Sequence, residues 1–565
     1  MANIKFNRKT FEKEIGKLDK KMQKKIAMFG TPLEGFDNEE IEIEVFPNRP
    51  DLLSYQGFKR SFLAYLGKKT GLKKYKINKP EKNYKVIVDK SVKNIRPYTV
   101  CAIVKGLRFN DEKIKEIVEI QEKLHITIGR KRKKVAIGIY PLEKIELPIT
   151  YKALEPDKIK FIPLETEKEM SGLEILQRHP AGKDYAHLLA GKEKFPIFID
   201  NAKNILSMPP IINSQLTGKI TEKTREVFVE CSGFDLKILK KCLSIIVASM
   251  VDIGGKIYQM EIKGRKKERT PNFKSEKMKI SLENTNKLLG LELNEKQLKQ
   301  LIEKIGYDYY KGIVEIPEWR TDILHEVDLI EDVAIAYGYD NFVPEIPEIS
   351  TIGQEDPKET VKRKISEILT GLNMIEISNY HLTNKKNQFK KMGLKEKDFI
   401  EVEESKTDYN ILRKDLTHFL MKILSENIDA EYPQNIFEIG KVFGNEVSSS
   451  KGVLCVEKEN LAVAISPGNF TEVKQIIEYF SKIANVKISL KEANEFPNYF
   501  IDGRNAEIIF EGSEQTQASS AKNVKRDKKI GFIGEIHPKI LKNWRIKMPV
   551  ALFEISLEDI FKKLI

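Results

Sequence analysis

Nothing in this 565-residue chain has the length and apolarity of a membrane span. Its longest strongly apolar stretch, residues 242–251, is about half of the roughly 20 residues that a bilayer crossing needs, and Ser244 and Ser249 interrupt it. The opening MANIKFNRKT is polar and basic with no apolar segment behind it, unlike a secretory signal, so a cytoplasmic protein with no membrane partner is expected. Cysteine is scarce. Cys101, Cys231, Cys242 and Cys455 are scattered without a C-x-x-C pair, which argues against a zinc cage and a disulfide framework and leaves buried reduced thiols as the expectation. Also missing are G-x-G-x-x-G, G-x-S-x-G and G-x-x-x-x-G-K-[ST], the common dinucleotide, hydrolase and phosphate-loop signatures. His325 and Glu326 begin like a zinc-protease helix, but position 329 is Leu where the second His ligand would have to stand.

The composition is that of a folded chain with several cores. Apolar residues make up 41% and charged residues 32%, too apolar for a disordered polymer. At roughly 100 to 200 residues per domain the length predicts about three to five domains. A formal charge of +14 favours polyanionic partners such as RNA or an acidic membrane surface.

Punctuation then divides the chain. A basic, apolar-poor stretch at residues 68–82, with Gly71 and Pro80, reads as a linker that closes an N-terminal domain of residues 1–82. The runs KVIVD and YTVCAIV read as strands, and Asp111 as the cap of a helix carrying Ile114, Ile117, Val118 and Leu124. This mixed α and β domain, residues 83–265, ends after an apolar helix at 236–251 and a strand at 256–262, where KGRKKERTPN reads as a second linker. Asn294 can cap a helix with Leu298, Leu301, Ile302 and Ile305 on one face, stopped at Gly306. With a strand at 312–317 and a helix at about 322–337, residues 270–347 make a helical, winged-helix-like module with a small sheet. After Pro344, Pro347 and Pro357, residues 355–565 mix strands such as NIFEIGKVF, ENLAVAIS and RNAEIIFEG with helices, one carrying Phe470, Val473, Ile476, Ile477, Phe480 and Ile483. The fold class is α+β and multidomain.

Three features carry chemistry. In IPEWRTDILHEVDLIEDVAIAYGYDNF, Asp322, Asp328, Glu331 and Asp332 gather at the front of a helix. At about 100° per residue, Asp328, Glu331 and Asp332 share one side, opposite Val327, Ile330, Ala334 and Tyr337. Four hard oxygen donors would suit Mg²⁺, which keeps several waters, whereas the plainer alternative is a helix cap and acids that complement the helix dipole. The five cations Arg130 to Lys134 either track a phosphate backbone or form a solvated loop, with no interleaved aromatics to stack bases. In SMPPIINS, residues 207–214, Asn213 can both donate and accept hydrogen bonds, as a turn cap or as a ligand contact.

Taken together, FPNRPDLLSYQGFKR (46–60), HPAGKDYAHLL (179–189), SMPPIINS, REVFVECSGFD (225–235), the acidic helix, IFEIGKVF (436–443) and GFIGEIHPKIL (531–541) resemble the phenylalanyl-tRNA synthetase beta-subunit family in its shorter archaeal and eukaryotic form. The resemblance covers nearly the whole chain, in the family's order. It implies an enzyme of two alpha and two beta chains that uses ATP to attach phenylalanine to its tRNA, with the synthetic site on the alpha chain. The last domain resembles a class II synthetase core, an antiparallel sheet, that has lost its chemistry. An active core needs an arginine in its second motif to hold ATP, yet IFEIGKVF has Glu438 and no arginine, and GFIGEIHP lacks the third motif's arginine.

In the family the acidic helix carries Mg²⁺ ligands shared with the alpha chain in the pattern D-x5-D-x2-E-[E/D]. This sequence matches it at Asp322, Asp328, Glu331 and Asp332. Residues 86–262 resemble the family's editing domain, which hydrolyses tyrosine wrongly joined to the phenylalanine tRNA. A second site has a physical reason. An apolar pocket rejects an isostere with one extra hydroxyl by only about a hundredfold, whereas a pocket that hydrogen-bonds that hydroxyl rejects the analogue lacking it by about 10⁴ or more. Asn213 is the choice for that polar contact, with Ser214 nearby, and Gln215 stands where relatives often carry an acid. The extra N-terminal RNA-binding and C-terminal anticodon-binding modules of the bacterial subunit are not found, so other surfaces, helped by the basic surplus, are expected to grip the tRNA. Two rivals remain: a free-standing RNA-binding or regulatory protein derived from this subunit, and a metal-dependent phosphoesterase built on the acidic helix.

Overall fold

Alternation builds the first sheet. In the strand Glu40–Val45, Ile41, Ile43 and Val45 are buried while the glutamates between them are not. It lies between strands Ala2–Asn7 and Leu33–Phe36, both antiparallel to it. The helix Tyr55–Tyr65 packs over this sheet, with Phe58 and Phe62 stacked at 5.0 Å and Phe6, Phe11 and Phe29 around them. The computed structural model describes residues 2–264, 267–403, 405–448, 452–493, 495–516 and 523–565. They fall into two compact units, Met1–Ile346 and Pro347–Ile565.

The centre of the first unit is an eleven-stranded mixed sheet. The strand Glu226–Gly233 pairs antiparallel with Tyr98–Lys105 on one side and Val135–Pro141 on the other. The helix Leu236–Asp252, buried throughout residues 241–250, packs on two of these strands. It is the apolar stretch of the sequence, and among the described residues no helix is long and apolar enough to cross a membrane. One continuous core runs from Ile4 through this sheet to Trp319, so the first three segments expected from the sequence share a single unit. Both expected linkers within that unit include described residues that pair with neighbouring elements. Gly71 N donates to Glu303 O at 2.7 Å, and Ile77 and Asn78 pair in parallel with Ile257 and Tyr258. In KGRKKERTPN, the strand Lys267–Thr270 folds back on residues 260–263; Arg265 and Lys266 lie outside the described residues.

Local details follow side-chain chemistry. Asn110, not Asp111, caps the helix Asp111–Ile126, and Val118 faces outward. Asn294 caps Glu295–Lys304 in a capping box with Gln297. The last helix of the unit is Glu326–Tyr337, shorter than expected because His325 caps it, which leaves Asp322 ahead of the helix. Its buried face is Leu329, Ile330, Val333, Ala334 and Ala336, with Asp332 turned inward among them and Val327 exposed. Cys101, Cys231 and Cys242 are buried, but Cys455 is exposed.

The second unit is built on a seven-stranded sheet whose central strands are antiparallel, among them Gln434–Ser448, Gly452–Ser466 and Ala551–Ser556. The helices Pro357–Gly371 and Phe470–Ile483 supply apolar residues to the core on this sheet, Val473, Ile477 and Phe480 among them. The polar turn expected at residues 448–451 lies almost wholly outside the described residues.

Candidate functional site

Two places in the first unit gather the residues singled out by sequence. The first is the start of the acidic helix. Arg320, 3% exposed, donates through Nε and Nη2 to both oxygens of Asp322, at 2.8 and 2.7 Å, and through Nη2 to Asp332 Oδ2 at 2.9 Å. The Tyr307 hydroxyl donates to the same Asp332 oxygen. Asp328 Oδ2 accepts from the backbone N–H groups of Leu324 and His325 at 2.7 and 2.8 Å. Glu331 lies on the exposed surface, and its carboxylate makes no hydrogen bond among the described residues. Partial desolvation, then the charges of Asp332, Asp328 and Asp322, push its carboxyl above the usual range. Burial raises Asp332 despite Arg320, whereas the Arg320 guanidinium outweighs burial at Asp322 and lowers it.

The four acids are thus neighbours, but their arrangement is a capped helix start with a guanidinium between two of them. Among the described residues no group of three or more His, Cys, Asp or Glu side chains is set to hold a metal ion. What is left over is one oxygen on Asp328 and on Asp332, and the carboxylate of Glu331.

The second place is a cavity of about 90 Å³ lined by His125, Arg132, Pro210, Ile211, Asn213 and Glu230, among others. SMPPIINS forms its rim as a hairpin, in which Ile205–Met208 pairs with Ile212–Asn213 and Ile211 N donates back to Met208 O. Asn213 Oδ1 accepts from the Tyr140 hydroxyl at 3.3 Å. Ser214 is 2% exposed, does not line the cavity, and spends its hydroxyl on Leu216 N. Gln215 Oε1 accepts from Glu165 N.

The residue that sequence reasoning passed over is Glu230. It is 2% exposed, and burial pushes its carboxyl up to about 8 even though Arg96 opposes this. Its Oε1 accepts weakly from Tyr140 Oη at 3.4 Å, and its Oε2 has no partner among the described residues. Tyr140 Oη also lies 2.8 Å from Ser207 Oγ, so one phenol hydroxyl is shared among Ser207, Asn213 and Glu230. A signal was present: a lone carboxylate inside the run VFVECSG, whose other side chains are all buried and uncharged. Arg130, Lys131 and Arg132 take left-handed backbone angles, φ 46°, 51° and 65°, and Arg132 turns inward to Ile211 O and Glu122. Burial alone would raise Glu122, but His125 and Arg132 bring it down to about 2.

Comparison with known proteins gives a consistent result. Residues 343–557 match the family model described as the phenylalanyl tRNA synthetase beta chain CLM domain, and residues 278–339 the tRNA synthetase B5 domain. The chain is 40% identical to the phenylalanine–tRNA ligase beta subunit of Thermococcus sibiricus, over 91% of this chain and 90% of the relative. It is 36% identical to that of Archaeoglobus fulgidus over 95% and 94%. A crystal structure of an N-terminal fragment of the Pyrococcus horikoshii phenylalanyl-tRNA synthetase beta subunit superposes with a TM-score of 0.57 at 36% identity, covering 60% of this chain and 99% of the fragment.

Proposed function

The chain belongs to the phenylalanine–tRNA ligase beta-subunit family, and from that premise we propose that it is the non-adenylating partner of an alpha chain in a cytoplasmic ligase of two alpha and two beta chains. The assembled ligase uses ATP to join phenylalanine to its tRNA, and this chain helps to hold the tRNA. The absence of adenylation chemistry here is supported by the fate of the guanidinium nearest Glu438. Arg413 donates through Nη1 to Glu438 Oε1 at 2.6 Å and through Nε to Lys441 O at 2.7 Å, with both side chains buried. It is spent inside the protein, where no nucleotide reaches it.

The editing reading is carried by one observation, the buried Glu230 carboxyl in the lining of the cavity beside Tyr140 and Asn213. A carboxyl that is neutral at pH 7 can donate a hydrogen bond as well as accept one. A tyrosyl hydroxyl satisfies it, and phenylalanine leaves it buried without a partner, which is the asymmetry that gives such a pocket its discrimination.

Mg²⁺ belongs to the assembled ligase in this reading. Asp328 and Glu331 are the residues of this chain that would hold it, in keeping with an ion that takes one or two carboxylates and retains waters. When bound, the ion would supply positive charge that links these carboxylates to the alpha chain. Asp322 and Asp332, both engaged by Arg320, position the start of the helix.

Co-expression with the alpha chain tests the assembly, which is expected to have the mass of two alpha and two beta chains and to aminoacylate. That complex should deacylate tyrosyl-tRNA faster than phenylalanyl-tRNA, and Glu230→Ala or Asn213→Ala should narrow the difference. An unchanged ratio in both variants removes this cavity from the function.

A further inference from the structure

In the second unit, residues 386–391 are joined to the end of helix Pro538–Trp544. Asn543 Nδ2 donates to Lys391 O at 3.0 Å, and the Lys391 ammonium sits over the Trp544 ring, 4.0 Å from its centre. We propose that the basic face made there is a contact surface for the phosphate backbone of a structured RNA. The inference rests on the reading that this chain helps to hold the tRNA, and names where.

Lys391 N donates to Lys386 O at 2.9 Å, a π-type turn of the kind that often marks functional positions, and it sets the two lysines one turn apart. Just past the helix, Arg545 takes a left-handed backbone at φ 61°. Partial burial, then the charges of Lys386, Arg545 and Lys422, push the Lys391 ammonium below its ordinary range, so four cations share one neighbourhood. Glu426, which acts on Lys391 in the opposite sense, is engaged by Lys422 at 2.9 Å. Lys386, Lys390 and Arg545 are exposed, and among the described residues no carboxylate pairs with them or with Lys391. The helix dipole explains a cation at Arg545, but not the like charges gathered against it. Their repulsion is a cost that a bound polyanion removes. Met392, Ile540, Trp544 and Ile546, interleaved with these cations in the chain, are all buried. They give the face neither the apolar centre of a protein interface, where lysine is depleted, nor a ring on which a base could stack. What the cations can grip is backbone phosphate, without reading sequence.

The test measures binding of phenylalanine tRNA to the assembled alpha–beta ligase by fluorescence anisotropy across a salt series. Lys386→Gln combined with Lys390→Gln should weaken binding by about fivefold or more and lower the slope of log K against log salt by about 2. Lys364→Gln combined with Lys482→Gln removes the same charge at exposed positions on other helices of the unit, and should leave the affinity within about twofold. Both double variants should assemble with the mass of the parent complex. If the wild-type ligase binds the tRNA and the 386/390 variant keeps its affinity and slope, this surface is overturned and the tRNA-holding reading stands, whereas no binding by the wild-type ligase overturns both. Equal weakening by the two double variants would mean diffuse charge, and failure of the first to assemble with the alpha chain would make the face a protein contact; either result overturns the proposal.

Discussion

Gly138 sits directly opposite Glu230 in the antiparallel register of their two strands, and its missing side chain is what lets Tyr140 and Glu230 meet. A Cβ at Gly138 would lie 2.1 Å from the Tyr140 hydroxyl oxygen and 2.7 Å from Glu230 Oε1. The polar cluster of the small cavity is therefore a product of strand register and one absent methyl group.

Gly138→Ala should consequently disturb the cluster without touching the second unit. Overpacking of this kind typically costs about 1–3 kcal/mol. In the alpha–beta complex, deacylation of tyrosyl-tRNA should fall by about tenfold or more, equivalent to roughly 1.4 kcal/mol, while aminoacylation is retained. Parallel loss of both activities would mean that the glycine serves the fold as a whole and not this cavity.

The pH dependence of stability gives an independent reading of Glu230. Its folded carboxyl titrates at about 8, and that of Glu554 in the other unit also at about 8, burial being the main cause in both. An unfolded glutamate titrates near 4.3, so between about 4.3 and 8 the folded state holds a proton that the unfolded chain has lost. Stability therefore falls as pH rises through that window, by at most about 1.4 kcal/mol per pH unit for each group, and levels off above it. Trp319 lies in the first unit and Trp544 in the second, and both are buried. In a Trp544→Phe background, Trp319 fluorescence reports the first unit alone. There Glu230→Gln should flatten the slope, and an unaltered slope would show that this carboxyl is already ionised at neutral pH.

Parts of this architecture were legible in sequence because the signals were local. Asn294 and Gln297 form a capping box three residues apart, and the alternation in strand Glu40–Val45 declares its buried face. The acidic helix was misread at its front, since His325 caps the helix and shifts its first turn past Asp322. Asp332 then points into the core, where Arg320 and Tyr307 receive it. Glu230 escaped notice because its meaning depends on Tyr140, 90 residues away, brought alongside by strand pairing. Ser214 was chosen for its nearness to Asn213, but successive residues of an extended segment face opposite sides.

Arg320 offers a sharp test of the acidic cluster. Arg320→Met would leave Asp322 and Asp332 buried without their cation, a change that typically costs about 3–5 kcal/mol. Denaturant unfolding followed by Trp319 fluorescence should show the loss. Millimolar Mg²⁺ should leave the isolated wild-type chain unchanged, because Arg320 already engages both aspartates, and should stabilise the assembled ligase. Marked stabilisation of the isolated chain by Mg²⁺ would mean that the ion displaces Arg320 and that this chain holds the metal unaided.

The Arg413–Glu438 pair makes the corresponding prediction for the second unit. Both side chains are almost fully buried, and Glu438 also receives Asn379 Nδ2 at 2.8 Å. Gly440 completes the arrangement, since a Cβ there would come within 2.3 Å of Arg413 Nη2. Removing the guanidinium alone strands a carboxylate in the core, so Arg413→Met should cost about 3–5 kcal/mol, whereas replacing both partners by apolar residues is often close to neutral. With Trp319→Phe as background, Trp544 fluorescence should therefore show a large loss for Arg413→Met and recovery of most of it when Glu438→Leu is added. If the double variant were as unstable as the single one, the pair would be contributing attraction beyond the cost of burying it. Neither variant, nor the parent chain, should exchange pyrophosphate with ATP in the presence of phenylalanine, because the Arg413 guanidinium beside Glu438 is directed at the protein itself.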